Sequence, residues 1–390
     1  MDKILGIIAE FNPFHNGHKY LIDQAKSIVN PDCTIIAMSG NFTQRGQASI
    51  INKFEKTKTV LNSGANLVVE IPTVYSISSA ENFAEGGVKV LMQAHATHIA
   101  FGIEDDNLET IKLIADTLVD ETEEFKAILK KYMDEGLSFA QSRCKALIDY
   151  LKDEKIEETI NQPNNILAIE YLKAIKRLNA NFEIVPIKRN KEFVSSTEIR
   201  NKIFNGEDYT ADIPEESKLT LMENNGNFVN LNCFEKIMIY KLRTMDASTL
   251  NNLADVAEGL DNLMVKYAKE TNNLETLIQN IKSKRYTQTR IQRILLYVLF
   301  EITKEDMKLS KELMPYVRVL GMDREGEKIL KDIDQNVLVT SVKKFYDGCS
   351  EEYKRLLDLD IKATNVYSLM SDKNYNADLD FTERLIVKGE

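Results

Sequence analysis

The first twenty residues contain an apolar run that ends in a turn with two histidines. Ile4–Ala9 has the pattern of a buried strand, and the following turn carries the HxGH sequence His15-Asn16-Gly17-His18. A helix that begins at such a turn offers unpaired backbone N–H groups to an anion, and a glycine lets the backbone approach closely. Two imidazoles three residues apart can donate further hydrogen bonds. The segment therefore predicts a strand–turn–helix unit that holds ATP at its α-phosphate, the alternative being histidines that merely cap the helix.

The rest of the first half alternates strand-like runs with amphipathic helical stretches. The predicted strands after Ile4–Ala9 are Thr34–Met38, Leu67–Ile71, His98–Phe101 and Phe182–Ile187. The predicted helices are Gly17–Val29, Ile51–Ser63, Ser79–Ala94 and Asn165–Leu178. This alternation indicates an α/β fold with a Rossmann-like (HUP-type) parallel sheet, in which ligands bind at the carboxyl ends of the strands.

Length and patterning indicate two domains. Residues 1–213 are expected to form a nucleotidyltransferase-like ATP-binding catalytic domain, with a charged helical insertion at about 108–158. Pro214 and the polar stretch 224–227 suit a boundary, after which long helical patterns dominate. We expect residues 214–390 to form a mainly α-helical second domain.

Composition limits the classes of function. The chain has 390 residues, a net charge of −10 and four scattered cysteines without CxxC spacing. An acidic chain has no general affinity for polyanions, so contact with nucleic acid requires a local basic patch. The apolar run Ile4–Ala9 is much shorter than the ~20 residues that a membrane span needs. We therefore expect a cytoplasmic protein with reduced thiols, no membrane contact and no metal bound by its own side chains.

A second candidate phosphate site lies at Ser195-Ser196-Thr197-Glu198-Ile199-Arg200. Small hydroxyl residues at a helix start bind phosphate through side chains and backbone N–H groups. Arg200 lies one turn further on and suits the β- or γ-phosphate. The alternative is an ordinary helix N-cap, which is common for such a string.

Two other candidate segments follow predicted strands and would reach the same edge of the sheet, and a third opens a predicted helix. Gly40–Gly46 suits the pocket of a second substrate or a simple surface loop. Gly102 would let a base or ribose lie against the backbone, and Glu104-Asp105 suit Mg²⁺ or ribose hydroxyls. In the third segment, Asn164 or Asn165 either caps a helix or reaches the adenine.

A basic segment stands out in the second half of this acidic chain. Its cations and aromatic residue suit phosphate contacts with a base stacked on Tyr286, and a solvated helix start is the alternative. Arg318 would add a further, less well supported cation. The candidate RNA-binding residues are Lys282, Lys284, Arg285, Tyr286, Arg290 and Arg293.

Taken together, these motifs resemble a known family. HxGH with a downstream SSTxIR resembles the nucleotidyltransferase and class I aminoacyl-tRNA synthetase superfamily. The fuller set is similar to the bacterial tRNA(Met) cytidine acetate ligase family, and the similarity extends over nearly the whole chain. The set comprises Gly6–His18, Ser39–Gly46, Ser79–Gly86, Pro163–Leu167 and Lys284–Thr287. The chain departs from the family in the segment 190–194, which is shorter than expected.

The resemblance implies a ligase that acts in two steps. Acetate attacks the α-phosphate of ATP to give acetyl-adenylate, and the wobble cytidine of elongator tRNA(Met) takes the acetyl group on its N4 amine. Mg²⁺ is expected with the ATP phosphates, and the basic segment would hold tRNA. The catalytic candidates are His15, His18 and Arg200. The ATP-binding candidates are Ile7, Ile8, Ala9, Glu10, Phe11, Asn12, Pro13, Phe14, Asn16, Gly17, Lys19, Tyr20, Gly102, Asn164, Asn165, Lys188, Arg189, Ser195, Ser196 and Thr197.

Two other functions are compatible with the motifs. A metabolic nucleotidyltransferase would adenylate or cytidylylate a phosphorylated small molecule, but it would have no use for a basic helical domain. A non-catalytic RNA-binding protein would not need an intact HxGH turn or Arg200. The oligomeric state and the choice between acetate and other small carboxylates do not follow from the sequence.

Overall fold

The computed structural model describes residues 3–104, 107–257, 259–283, 286–371 and 376–389. Its centre is one eight-stranded sheet in the order β5-β4-β1-β2-β3-β6-β7, with β8 also paired to β6. The strands are β1 (Ile4–Ala9), β2 (Cys33–Ser39), β3 (Leu67–Ile71), β4 (His98–Ile103), β5 (Glu183–Lys188), β6 (Val317–Met322), β7 (Leu338–Val339) and β8 (Ile386–Val387).

Helices surround this sheet. In the first half they are α1 (Asn16–Val29), α2 (Lys53–Asn62), α3 (Thr73–Ser76), α4 (Ala80–Gln93), α5 (Leu108–Asp120), α6 (Glu123–Asp134), α7 (Phe139–Leu151), α8 (Ile156–Asn161), α9 (Pro163–Arg177) and α10 (Ser196–Asn205). In the second half they are α11 (Glu215–Glu223), α12 (Glu235–Thr244), α13 (Ala247–Asn252), α14 (Leu260–Glu270), α15 (Leu274–Ile281), α16 (Gln288–Phe300), α17 (Lys304–Glu312), α18 (Arg324–Ile329), α19 (Val342–Gly348), α20 (Glu351–Ser368) and α21 (Leu379–Thr382).

The predicted α/β architecture is confirmed. Strands β1 to β5 are parallel to one another, and each predicted strand and helix of the first half is present with ends shifted by only a few residues. The strands are almost wholly apolar because helices cover both faces of a parallel sheet. The predicted insertion corresponds to the four helices α5 to α8, which lie between β4 and β5 in the chain.

The second half contributes strands to the same sheet, which the sequence did not predict. β6 pairs antiparallel with β3, and β7 and β8 pair with β6. These strands are short and are separated by helices, so they give little periodic signal. The division at residue 213 stays a prediction, but the expectation of a mainly helical second half is incomplete because the sheet continues across that division.

Buried ion pairs join β6 to the first half of the chain. Arg318 Nη1 lies 3.0 Å from Glu70 Oε2 on β3, and its Nη2 lies 2.6 Å from Asp380 Oδ1. Lys53 Nζ is 2.9 Å from Glu70 Oε1 and 2.8 Å from Asp380 Oδ1. Because Arg318 is only 3% exposed and is paired in this way, it is not a cation for RNA, and that expectation was wrong.

Within the residues that the structure describes, no helix is both long and apolar enough to cross a bilayer.

Candidate active site

The HxGH turn begins α1 at the carboxyl end of β1. His15 is the N-cap residue, and its Nδ1 accepts a hydrogen bond from Gly17 N over 3.0 Å. His18 Nδ1 accepts from His15 N over 3.3 Å, and the two ring centroids are 3.7 Å apart. A Cβ on Gly17 would lie 2.8 Å from His15 Cε1, so the folded-back ring requires glycine there. His15 therefore caps the helix as the alternative expects, and this same helix start is compatible with the phosphate-binding hypothesis.

Both histidines are neutral near pH 7, and their hydrogen bonds indicate which ring nitrogen carries the proton. Burial, followed by repulsion from Arg189, lowers the pKa of His15 to about 4. Burial also lowers the pKa of His18 well below its ordinary value, with repulsion from His15 as the second cause. Since Nδ1 of each ring accepts a backbone N–H, each neutral ring carries its proton on Nε2. The turn therefore offers two neutral N–H donors in addition to the helix N-terminus.

Several ATP-binding candidates around this turn have side chains that are occupied within the protein. Phe11 and Phe14 are each 3% exposed, with ring centroids 4.9 Å apart. Asn12 donates to Ala48 O over 3.1 Å and accepts from Ile50 N over 2.9 Å. Asn16 Nδ2 donates to Ala211 O over 2.9 Å. Here the backbone, rather than the side chain, is the part available to a nucleotide.

Other candidates of this segment lie within β1 or along α1, and Glu10 and Pro13 lie in the loop between them. Ile7 and Ile8 are buried in the core, and Ala9 ends the strand. Lys19 forms an ion pair with Asp23 at 3.2 Å. The ring of Tyr20 lies 5.6 Å from that of Phe193.

The short segment 190–194 covers one side of the HxGH turn. Phe193 Cβ lies 3.5 Å from the position that a Cβ on Gly17 would occupy. Asn190 accepts a hydrogen bond from Glu192 N over 2.9 Å, which forms a tight turn. The shortened loop therefore still reaches the HxGH turn.

The second motif begins α10 beside the same turn. Ser195 caps this helix and shares a capping box with Glu198, as the ordinary N-cap alternative expects. Arg200 Nη1 donates to Asn12 O over 2.6 Å, and its Nη2 donates to Thr197 Oγ1 over 3.1 Å. The fold thus brings Arg200 and the HxGH segment together, with Ser196 and Thr197 in the first turn of α10.

Gly102 on β4 has room for a Cβ, which would make ordinary contacts with its neighbours. A Cβ built there would lie 3.6 Å from Leu21 Cδ1 and 3.8 Å from Asn164, which is ordinary contact. The backbone at Gly102 has no positive φ that would require glycine. Packing therefore gives no reason for glycine here, whereas a flat ligand against the strand does.

Asn165 has a structural partner at the end of β4. Its Oδ1 accepts from Glu104 N over 2.9 Å, and its Nδ2 donates to Gln162 Oε1 over 2.6 Å. Because Asn165 is 2% exposed, it positions the β4 loop, and the partly exposed Asn164 is the better placed of the two to meet a base.

Glu104 is paired rather than free for a metal. Its Oε1 lies 3.3 Å from Nη1 of Arg189, the residue that directly follows Lys188 at the end of β5. Asp105, the other member of the predicted acidic pair, lies outside the described residues. In the described ranges no group of three His, Cys, Asp or Glu side chains has the arrangement of a metal site.

The loop 40–46 packs against the basic helix α16. Gly46 has a φ of +73°, and a Cβ there would lie 2.7 Å from Arg293 N. Gln44 Nε2 donates to Ser78 O over 3.2 Å, and Gln44 N donates to Glu10 Oε1 over 2.5 Å. The loop therefore connects the end of β1 with the start of α16.

The basic segment is only partly available for RNA. Tyr286 is 7% exposed and its hydroxyl donates to Ala257 O over 3.3 Å, so the ring is not open for base stacking. Arg290 is paired with Asp255 at 2.9 Å and lies over the Tyr286 ring. Arg293 is partly exposed on α16, and Lys282 ends α15. Lys284 and Arg285 lie outside the described residues.

Lys56 is a site residue that the sequence did not reveal. It is 2% exposed, and its Nζ donates to Gly40 O over 2.7 Å, Ser39 O over 2.9 Å and Glu10 O over 3.1 Å. It therefore ties the carboxyl ends of β1 and β2 together. The one signal was a lysine in the apolar stripe of the predicted helix.

Comparison with known proteins gives the family. The sequence model described as HIGH Nucleotidyl Transferase matches residues 2–380. A tRNA(Met) cytidine acetate ligase of Thermoanaerobacter sp. (strain X514) is 38% identical over 98% of this chain and 99% of its own. The chain belongs to the tRNA(Met) cytidine acetate ligase family. Another member, from Clostridium perfringens (strain ATCC 13124), is 36% identical over 95% of this chain and 96% of its own.

Solved structures agree with this membership. The crystal structure of Thermotoga maritima TmcAL bound with alpha-thio ATP is 30% identical in sequence and superposes with a TM-score of 0.93. The match covers 99% of both chains. The apo form of the same protein is similar to this chain to the same degree, with a TM-score of 0.93. The family resemblance and the fold that it implied are thus confirmed.

Proposed function

We propose that this chain is an ATP-dependent ligase that acetylates the N4 amine of the wobble cytidine in elongator tRNA(Met). The proposal rests mainly on one observation: two neutral imidazole N–H donors, a helix N-terminus and Arg200 converge at the end of β1. The names of the curated relatives and the bound nucleotide analogue of the Thermotoga maritima structure support the same reaction.

In the first step an acetate oxygen attacks the α-phosphorus of ATP, and pyrophosphate leaves. Negative charge develops on the phosphate oxygens, which Nε2–H of His15 and His18 would stabilise by hydrogen bonds. Arg200 would bind the departing phosphates, since its position is fixed by Asn12 O and Thr197 Oγ1. The partly exposed Arg189 and the first turn of α10 complete the phosphate side.

Gly102 and Asn164 would hold the adenosine part of ATP. The half-buried backbone at Gly102 suits contact with a flat base or a ribose, and Asn164 lies beside it. Mg²⁺ fits as an ion held chiefly by the ATP phosphates and water, since Mg²⁺ needs only one or two protein carboxylates or none. It would supply charge neutralisation of the leaving pyrophosphate.

In the second step the cytidine amine attacks the acetyl carbonyl, and AMP leaves. tRNA would lie across the loop 40–46 and the exposed part of α16, with residues 214–390 providing the RNA-binding part. We place the reaction in the cytoplasm, where tRNA and ATP are available.

The test is an assay with purified protein, ATP, Mg²⁺, labelled acetate and total bacterial tRNA. We expect label in N4-acetylcytidine, and loss of that label when His18→Ala removes one phosphate donor. tRNA binding by the His18→Ala protein should remain near that of the unaltered protein. An equal loss of binding and activity would contradict this division of labour.

A different outcome would favour the rival nucleotidyltransferase. In that case no label from acetate would enter tRNA, but the protein would consume ATP or CTP with a phosphorylated metabolite. The packing of loop 40–46 against α16 favours the ligase, because a small phosphorylated acceptor would have no use for that contact.

A further inference from the structure

Glu10 is the first residue after β1, at the start of the loop that leads to the HxGH turn. Its Oε1 accepts a hydrogen bond from Gln44 N over 2.5 Å, and its backbone carbonyl accepts from Lys56 Nζ over 3.1 Å. The residue is partly exposed. The carboxylate is therefore held by the loop that follows β2 and still reaches the ligand edge of the sheet.

Glu10 lies near the groups that are proposed to act in each of the two steps of the reaction. On one side, Arg200 is fixed to Asn12, two residues beyond Glu10. On the other side, the loop that contains Gln44 packs through Gly46 against the backbone of Arg293 on α16. An acetyl group activated at the phosphates and a base presented by α16 would meet between these two contacts, which is where Glu10 lies.

The charges around Glu10 come from four elements. Arg45 faces it from the loop after β2, Lys56 from α2 and Arg200 from α10, and the buried hydroxyl of Tyr171 faces it from α9. Burial raises the pKa of Glu10 above its usual range, although the three cations act in the opposite direction. A carboxylate with a raised pKa is a better proton acceptor near neutral pH than an exposed one.

Resting on the proposed ligase function, we propose that Glu10 is the proton acceptor of the acetyl-transfer step. The cytidine N4 atom forms a bond to the acetyl carbon, and the bond from that carbon to the phosphate oxygen breaks. AMP leaves as an anion that needs no proton. The proton lost from N4 passes to the Glu10 carboxylate and then to solvent. The hydrogen bond from Gln44 N orients the carboxylate, and the nearby cations offset its charge.

The test uses the full-length protein and Glu10→Gln, which keeps an oxygen for Gln44 N but cannot accept the proton. Acetate-dependent exchange of pyrophosphate into ATP reports the first step. Transfer from synthetic acetyl-adenylate to tRNA in a single turnover reports the second. We expect transfer to fall by about 100-fold or more, the usual contribution of a general base, and exchange to fall far less. Transfer by the unaltered protein should rise with pH and then level off, whereas transfer by the variant should not depend on pH.

The control is Glu109→Gln, an exposed carboxylate on α5 paired with Lys112, which should reproduce both rates. Equal losses in exchange and transfer by Glu10→Gln, or an unaltered transfer rate, would overturn the inference. If thermal denaturation shows that Glu10→Gln is not folded, the Glu10→Asp variant becomes the test. Its shorter carboxylate should support slow acetyl transfer that still depends on pH. A pH-independent Glu10→Asp overturns the inference. If the unaltered protein shows neither exchange nor transfer, it is the proposed function that fails.

Discussion

Arg200 Nη1 donates a hydrogen bond to the carbonyl oxygen of Asn12 over 2.6 Å, between residues 188 positions apart in the chain. This contact docks the start of α10 against the loop that precedes the HxGH turn. Two short motifs from opposite ends of the first half thus lie side by side, where we propose the phosphate site.

Arg200→Lys should lower acetate-dependent pyrophosphate exchange by about 100-fold. A lysine has one ammonium group and cannot serve Asn12, Thr197 and a phosphate with a planar fork of donors. Asn201→Ala, at an exposed position of the same helix, is the matched control. Exchange at the normal rate in Arg200→Lys would show that Arg200 has only a docking role.

His15 should make the folded protein less stable as the pH falls from about 6.5 to about 4. Below pH 6.5 the unfolded chain takes up a proton on His15, whereas the folded chain does so only near its lowered pKa of about 4. The linked loss for this one residue is roughly 3 kcal/mol. Urea unfolding at pH 7, 5.5 and 4.5 measures it, and His15→Asn should show a smaller slope. Equal slopes in the two proteins would contradict the buried neutral ring.

Gly102→Ala should fold normally but bind ATP at least about tenfold more weakly, a loss near 1.4 kcal/mol. The added Cβ has room within the protein but would occupy the space proposed for the nucleotide. Gly6→Ala is the contrasting variant, since its Cβ would lie 2.8 Å from Leu91 Cδ1 and should lower stability. Thermal denaturation and calorimetric titration with ATP separate the two effects. ATP binding of normal affinity by Gly102→Ala would remove Gly102 from the site.

Asp380→Asn should destabilise the fold by about 3–5 kcal/mol, the usual cost of breaking a buried ion pair. Attraction to Arg318 and Lys53 lowers the pKa of Asp380 to about 2, despite burial. Removing its charge leaves those two cations with less compensation inside the core. Unfolding by guanidinium chloride is the measurement, with the exposed Glu327→Gln as a control. A change below about 1 kcal/mol, the range of exposed pairs, would mean that water reaches the cluster.

Arg293→Ala should weaken tRNA binding and reduce the salt dependence of that binding. Each phosphate contact adds about one to the slope of log affinity against log salt, so the slope should fall by about one. Arg293 is partly exposed on α16, whereas Arg290 is paired with Asp255. Lys308→Ala, at an exposed position on α17, should leave the slope as it is. An unchanged slope in Arg293→Ala would place the RNA elsewhere on the protein.

Much of the catalytic half follows from local sequence. The strand at Ile4–Ala9, the HxGH turn and the hydroxyl-rich start of α10 each have a short-range signature, because caps and strand periodicity are local. These signals were sufficient for the fold class and for naming His15, His18 and Arg200. The start of α1 was predicted to within one residue.

The tertiary structure decided which side chains remain available. Tyr286 and Arg318 are of residue types that commonly contact RNA. However, Tyr286 lies in the core and Arg318 in a buried ion cluster. Lys56 reads as an ordinary helix lysine but ties two strand ends together. Burial and pairing depend on residues far away in the chain, which no local pattern contains.

The sequence by itself therefore determined the parallel sheet, the strand–turn–helix unit with the HxGH turn, and the family. Only the tertiary structure decided that β6 extends the sheet from the second half, that loop 40–46 packs on α16, and that Glu10 accepts a hydrogen bond from that loop. The physical reason is that periodicity and capping act over a few residues. Strand pairing, ion pairing and burial depend instead on contacts between distant parts of the chain, whose free energy is realised only when the whole chain folds.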